Sequence, residues 1–239
     1  MVDKSVASLF QKKVIAVSHE LNDKLEQHCY KQKLMVIEIC IDIEFVRSID
    51  TKYITYIIDK GDFNVAFVGR FVDVKRTDLF VDIAKTIKAQ YPDARVIFHM
   101  LGDGPLWNDV KLSVKQLGVD SHVKLLGFVS NTAPYIKKMD LLLFTSDHEG
   151  LPMTLLEAMA LKVPVMSRNL TTIKHVLSDG RCGYILNSDK AQVFSDKIIE
   201  VMNNTNDREE KITMAANVVN SDYSINSLIE KYMRLYSNC

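Results

Sequence analysis

The amino-acid sequence predicts an α/β fold in which a parallel sheet is covered on both faces by helices. Three observations carry that reading. Short apolar runs alternate with amphipathic segments from about residue 64 to residue 203, the two periodicities of buried strands and surface helices. The stretches that join them are short, as in a series of crossover connections between parallel strands. The balance of 47% hydrophobic and 25% charged residues over 239 positions sits on the globular average and suffices for a buried core.

Residues 64–69 (NVAFVG) read as the first buried strand of the series. Residues 77–90 follow as a helix, with Leu79, Phe80, Ile83, Ala84 and Ile87 recurring at three and four and Pro92 closing it. Residues 95–101 (RVIFHML) form the next strand, and a helix then runs to Leu117 with Gly118 at its stop. Strands at 123–126 and 140–145 come next, then an apolar helix at 153–161 and a strand at 163–166. A helix near 172–177, a strand at 183–186 and a helix over 191–203 complete the series. In parallel sheets of this kind ligands bind at the carboxyl ends of the strands.

The flanks break the rhythm. Residues 1–60 hold one good strand at 14–17, a helix that Ser18 is placed to cap, and an extended stretch over 34–45. One such βα unit cannot bury a sheet face alone, so this segment is expected to be the remnant of a further domain plus a linker. Residues 203–210 are polar and loop-like, ahead of two helical patterns. The last of these sets Leu228, Ile229, Tyr232, Met233 and Tyr236 on one face, which needs a surface to cover. The expected division is therefore 1–60, 61–203 and a helical tail over 204–239.

Several function classes fall away on composition. With 30 basic against 30 acidic residues, no net field recruits nucleic acid or an anionic membrane. Cys29, Cys40, Cys182 and Cys239 are far apart and form no C-x-x-C pair, which argues against a zinc site and a disulfide framework. Reduced thiols in a cytoplasmic protein are the expectation. Apolar runs are interrupted by charge within about ten residues, short of the ~20 a spanning helix needs. His19, His28, His99 and His122 have no carboxylate or serine at a revealing spacing, so core or surface roles are the default for them.

The most informative stretch is 146–161, SDHEGLPMTLLEAMAL. Glu149 sits in a loop after a strand, and Pro152 is well placed for the first turn of the helix that follows. The free backbone N–H groups at such a helix start favour an anion such as phosphate. Glu157, inside that helix, is surrounded on the wheel by Leu155, Leu156, Met159, Ala160 and Leu161. A carboxylate buried there without partners is costly. Either it pairs with a core Arg or Lys or reaches solvent, or its two oxygens accept from the two hydroxyls of a ribose.

These residues resemble a known signature. EGLPMTLLEAMA, with two Glu separated by seven residues, is similar to that of the retaining glycosyltransferases of family 4. Further pieces fall in the same order: VGRFVDVK at 68–75, LGDGPL at 101–106, VKLLGFV at 123–129, Val163-Pro-Val165, and Asp179-Gly180 through Gly183. The resemblance runs from about residue 14 to 203 and implies a Rossmann-like domain, the C-terminal half of a GT-B fold.

Carried over to this sequence, it implies that Arg70 and Lys75 neutralise the diphosphate of a UDP- or GDP-linked sugar, the leaving group. Gly69 lets the backbone approach the ligand, Glu149 takes hydroxyls of the transferred sugar, and Gly150 belongs to the donor site. Leu151, Met153 and Thr154 contact phosphate at the helix start. Glu157 holds the ribose, and Gly102, Gly104, Phe128 and Val129 frame the nucleotide. Glu149, Arg70 and Lys75 are the catalytic candidates. No metal and no cofactor beyond the nucleotide-sugar substrate are implied.

The implied reaction is retaining hexosyl transfer to a glycan or lipid-linked acceptor. A partner subunit supplying the acceptor domain and peripheral membrane attachment stay open. The alternative is a non-catalytic nucleotide-binding module, or the donor-binding subunit of a split transferase. The sequence departs from the pattern where Thr171, Thr172 and His175 replace a Gly-Gly-x-x-Glu turn, and where Ile39 and Cys40 replace an Asn-Gly turn. The resemblance also implies that the N-terminal, acceptor-binding domain is reduced to its last βα unit. The half fingerprint Gly102-x-Gly104 has Trp107 where a dinucleotide site needs its third Gly. The adjacent Asp147, His148 and Glu149 do not converge on one ion as metal ligands must.

Overall fold

The computed structural model describes residues 13–27, 33–54, 56, 58–59 and 61–237. Cys29, Cys239 and His28 lie outside them; Cys40 and Cys182 are free thiols. A six-stranded sheet forms the centre, built from β3 (Phe63–Val68), β4 (Val96–Leu101), β5 (Val123–Gly127), β6 (Leu141–Phe144), β7 (Val165–Arg168) and β8 (Tyr184–Leu186). Its order is β5-β4-β3-β6-β7-β8, and every pairing is parallel. Strands buried on both faces need apolar residues throughout, and Leu141–Phe144 is buried at every position.

Helices cover both faces. On one side α3 (Thr77–Gln90), α4 (Trp107–Gln116) and α8 (Ala191–Asn203) close a core that includes Phe80, Phe98 and Phe194. The expected face of α3 is the buried one: Leu79, Phe80, Ile83, Ala84 and Ile87 are all inside. On the other side α5 (Ala133–Ile136), α6 (Met153–Ala160) and α7 (Thr171–Val176) close the second core with α9 (Thr205–Asp222). The chain runs outward from β3 to β5, then returns to β6 on the far side of β3. That reversal opens a crevice at the carboxyl ends of β3 and β6, where ligands of such sheets sit.

Before the sheet, β1 (Val14–Ala16) and β2 (Leu34–Val36) pair in parallel as a separate two-stranded sheet. The helix between them, α1 (His19–Glu26), is capped by the Ser18 side chain, which accepts from the Leu21 N–H at 3.1 Å.

Three local expectations are corrected. The stretch read as extended to residue 45 turns helical in α2 (Ile43–Ser48), because Asp42 accepts from the Phe45 N–H at 2.9 Å. Ile43 and Val46, a turn apart, then reach the second core, so burial overrides the β-branched bias of the stretch. Within the polar segment, residues 205–210 are the start of α9, capped by Asn204, which accepts from the Asp207 N–H at 3.1 Å. Its polarity marks exposure of that turn; Ala215 and Val219, farther along, enter the core.

The third concerns α10 (Ile225–Ser237). The helix forms, yet Ile229, Met233 and Tyr236 of its apolar stripe are exposed, and Leu235 is the residue it buries. Leu228 and Tyr232 are half-buried, so the stripe is covered only in part among the described residues. No helix among the described residues is long and apolar enough to cross a membrane.

Candidate functional site

A cavity of about 420 Å³ opens at the carboxyl ends of the first three strands of the sheet. Val68, Gly69 and Arg70 line it after β3, Leu101, Gly102 and Asp103 after β4, and Phe128, Val129 and Thr132 after β5. Arg70 is exposed and Phe128 is 77% exposed, so an aromatic face and a guanidinium flank an open mouth.

Two turns are zipped together to make one wall. The Gly69 N–H donates to the Leu101 carbonyl at 3.0 Å, the Phe71 N–H to Asp103 at 2.9 Å, and the Leu106 N–H to Phe71 at 3.1 Å. The approach is so close that a Cβ on Gly102, at φ +142°, would stand 1.8 Å from the Gly69 carbonyl oxygen. A Cβ on Gly104 would stand 2.5 Å from the Phe71 carbonyl oxygen. Gly104 is absent from the cavity lining. Its smallness serves the close approach of two protein loops. Gly69 lines the cavity, and a Cβ there would meet only ordinary contacts at 3.7 Å.

On the β6 side the predicted residues meet one another. The Lys75 ammonium donates to both oxygens of Glu149, at 2.6 and 2.7 Å. The Ser146 hydroxyl donates to the same carboxylate at 2.6 Å. Glu149 is 7% exposed and its Lys75 partner 23%, so the pair is largely desolvated and satisfied from both sides.

The loop that carries Glu149 is stitched down. Thr145 donates to the Lys75 carbonyl at 2.9 Å, and the Asp147 N–H to the Val74 carbonyl at 2.8 Å. Arg168, at the end of β7, grips Asp147 and Asp189, while Arg76 bonds Asp78 and reaches Asp147 at 3.4 Å. Arg76 adopts a left-handed conformation, φ 50°, an uncommon geometry for a non-glycine residue.

Glu157 is held otherwise. It projects from α6 toward Thr132, whose hydroxyl donates to it at 3.5 Å, a long bond. No salt bridge reaches it among the described residues. Burial pushes its pKa above 4.5, opposed only by the Thr132 bond. Among the described residues no core Arg or Lys pairs with it, and its Thr132 partner is a residue of the cavity wall. The start of α6 has no side-chain cap: Pro152 precedes it, Met153 and Gly150 are exposed, and Leu151 and Thr154 are half-buried. Its first N–H groups stay available to an anion.

The sequence did not distinguish Thr132, Ser146, Arg76 or Arg168. Ser146 stands at the head of the quoted motif, the one signal that points to it. Thr132 and Arg168 meet the site only through sheet order. His148, beside Glu149, is exposed.

The family model for glycosyl transferases group 1 matches residues 51–218. Among curated proteins, the chain is 25% identical over 175 residues to the poly(ribitol-phosphate) alpha-N-acetylglucosaminyltransferase of Staphylococcus aureus, covering 73% of this chain and 35% of that one. It is also 25% identical over 226 residues to the N-acetyl-alpha-D-glucosaminyl L-malate synthase of Bacillus anthracis, covering 93% and 58%. The chain thus spans between 35% and 58% of the length of these two relatives. Among solved structures, HepE of Anabaena in complex with UDP superposes with a TM-score of 0.84 at 17% identity, over 98% of this chain and 66% of that one. The C-terminal domain of a glycosyl transferase group 1 family protein from Francisella tularensis gives 0.59 at 23% identity, over 68% and 86%. The fold is that of the C-terminal half of a GT-B protein.

Proposed function

Because this chain belongs to the glycosyl transferases group 1, we propose that it binds a UDP- or GDP-linked sugar in the cavity beside Thr132 and presents it for hexosyl transfer. The acceptor is a hydroxyl of a glycan or lipid-linked molecule, and the anomeric configuration is retained. One observation carries the reading: Glu157 is a desolvated carboxylate with no cationic partner among the described residues, beside an open cavity. Such a group gains most from a ligand that donates hydrogen bonds, and the paired hydroxyls of a ribose fit that need. The UDP in the Anabaena structure supports a nucleotide as the occupant.

The other roles follow from position. Phe128 offers a ring face to a base, and the uncapped start of α6 offers N–H groups to phosphate. Arg70 and Lys75 bring positive charge to the diphosphate, which must leave with its bonding electrons. Lys75 is shared: it holds Glu149 in place before any donor arrives, and Glu149 then accepts from hydroxyls of the transferred sugar. Arg70, Lys75 and the α6 start supply the charge, so the reading needs no metal in this cavity. A donor-binding module without turnover is the second reading. It is favoured by Thr172, which stands in the Gly-Gly position and accepts no freedom there, being 6% exposed and bonded to Glu20 at 3.3 Å.

A thermal-shift panel with UDP, GDP, ADP and their sugar conjugates tests the proposal. A nucleotide at about a hundred times its dissociation constant adds roughly 2.7 kcal/mol, a rise on the order of 5–10 °C for a chain of this size. The expected result is a rise for one base. No rise with any nucleotide would sink the reading, and binding without release of nucleoside diphosphate from any conjugate would select the second one.

A further inference from the structure

Away from the cavity, three elements bring metal-ligating side chains together where the N-terminal βα unit meets the central domain. His19 is the first residue of α1, Glu38 follows β2, and His175 lies in the last turn of α7. Their ligand atoms all lie within 4.8 Å of one another. We propose that His19, Glu38 and His175 form a binding site for a divalent transition ion of the zinc class, which clasps the N-terminal unit to α7.

The donor set is chemically apt. Two imidazoles and one carboxylate are a recurring zinc set that leaves a fourth position for water. The geometry leaves room for an ion where direct bonding fails. His175 Nε2 and Glu38 Oε1 are 4.0 Å apart, beyond a hydrogen bond, and the two histidine rings sit with centroids 4.5 Å apart, tilted by 55°. Three atoms so spaced share a point no more than about 2.8 Å from each, so inward rotation by roughly 0.7 Å reaches the 2.0–2.2 Å of zinc bonds.

Burial and outer contacts agree. Glu38 is 9% exposed while both histidines are exposed, so the carboxylate forms the floor and the imidazoles the rim. A buried carboxylate is costly without a cation, and among the described residues the one basic side chain within 4.0 Å of it is His175. Behind it stands the buried Tyr223. A hydroxyl beside a ligating carboxylate is the kind of outer contact that orients a metal ligand. Tyr223 is itself anchored, since its carbonyl accepts from the Ile41 N–H at 2.9 Å. The site therefore ties α1, the segment after β2, α7 and the end of α9 at one point. It does not rest on the nucleotide reading, because none of its three ligands lines the cavity.

The test is a zinc titration of the full chain, stripped with chelator and followed by competition with a chromogenic indicator. One equivalent is expected to bind and to be lost in His19→Ala and in His175→Ala, both at exposed positions where folding, checked by circular dichroism, is kept. Cobalt(II) in place of zinc is expected to show visible ligand-field bands without thiolate charge-transfer absorption. Failure to bind, binding unchanged in both variants, or a thiolate-dominated cobalt spectrum would each overturn the proposal.

Discussion

Glu149 and Glu157 lie on one strand–loop–helix segment, and they are held in opposite ways. Glu149 has a cation on both oxygens and a serine beside it. Glu157 has one long bond from a threonine, and burial raises its pKa. The difference shows how one short segment can carry two kinds of recognition. A carboxylate fixed by Lys75 is preorganised and costs little to keep ionised, while an under-partnered one stores an unmet demand that a ligand can satisfy.

The comparison breaks most completely if the wall between the two turns is lost. Gly102→Ala sets a methyl against the Gly69 carbonyl oxygen in a backbone region unfavourable to other residues. A loss of ~4 kcal/mol in denaturant unfolding is expected; a loss under ~1 kcal/mol would mean the turns are not packed as described.

Burial acts on His99 as on Glu157, but with the opposite pH dependence, which sharpens the contrast. His99 Nε2 lies 2.9 Å from Asn64 Oδ1, its Nδ1 has no partner among the described residues, and burial lowers its pKa from 6.5 to about 4. The unfolded chain takes up this proton below pH 6.5 while the folded one resists until about pH 4, so stability is full above that window and falls through it. The loss is ~3 kcal/mol, and His99→Gln is expected to flatten that part of the pH–stability curve.

Glu149→Ala leaves Lys75 without its carboxylate. A cost on the order of 2 kcal/mol is expected, seen as a fall of ~4–8 °C in Tm. An unchanged Tm would show that the pair is not held in solution. The smallest effect belongs to Glu157→Gln, which should raise the Tm of the ligand-free protein slightly at neutral pH. Its folded pKa is raised above 4.5, so ionisation costs stability once pH passes that value. The gain of the variant is therefore expected to vanish below pH 4.5.

Much of this was legible in the sequence because strands buried on two faces and helices buried on one leave different apolar periods. The face of α3 and the start of α6 follow directly from that. The elements misread were those whose burial is decided elsewhere: α2 owes its place to Ile43 and Val46 reaching the second core, and α9 begins in a polar turn capped by Asn204. The two carboxylates could be singled out by the motif, but not their partners. Lys75 meets Glu149 across 74 residues and Thr132 meets Glu157 across 25, distances that only the sheet order resolves. The same holds for His19 and His175, which lie far apart along the chain and stand together in the fold.

The most direct measurement of the central claim is calorimetric titration of the preferred free nucleoside diphosphate and its sugar conjugate into the wild type, Glu157→Gln and Glu149→Gln. If Glu157 reads the ribose and Glu149 the sugar, Glu157→Gln weakens both ligands by roughly tenfold or more, about the 1.4 kcal/mol of one charged hydrogen bond. Glu149→Gln then weakens only the conjugate, because release of Lys75 leaves its charge available to the diphosphate. Equal binding of both ligands by the wild type and Glu157→Gln would contradict the account.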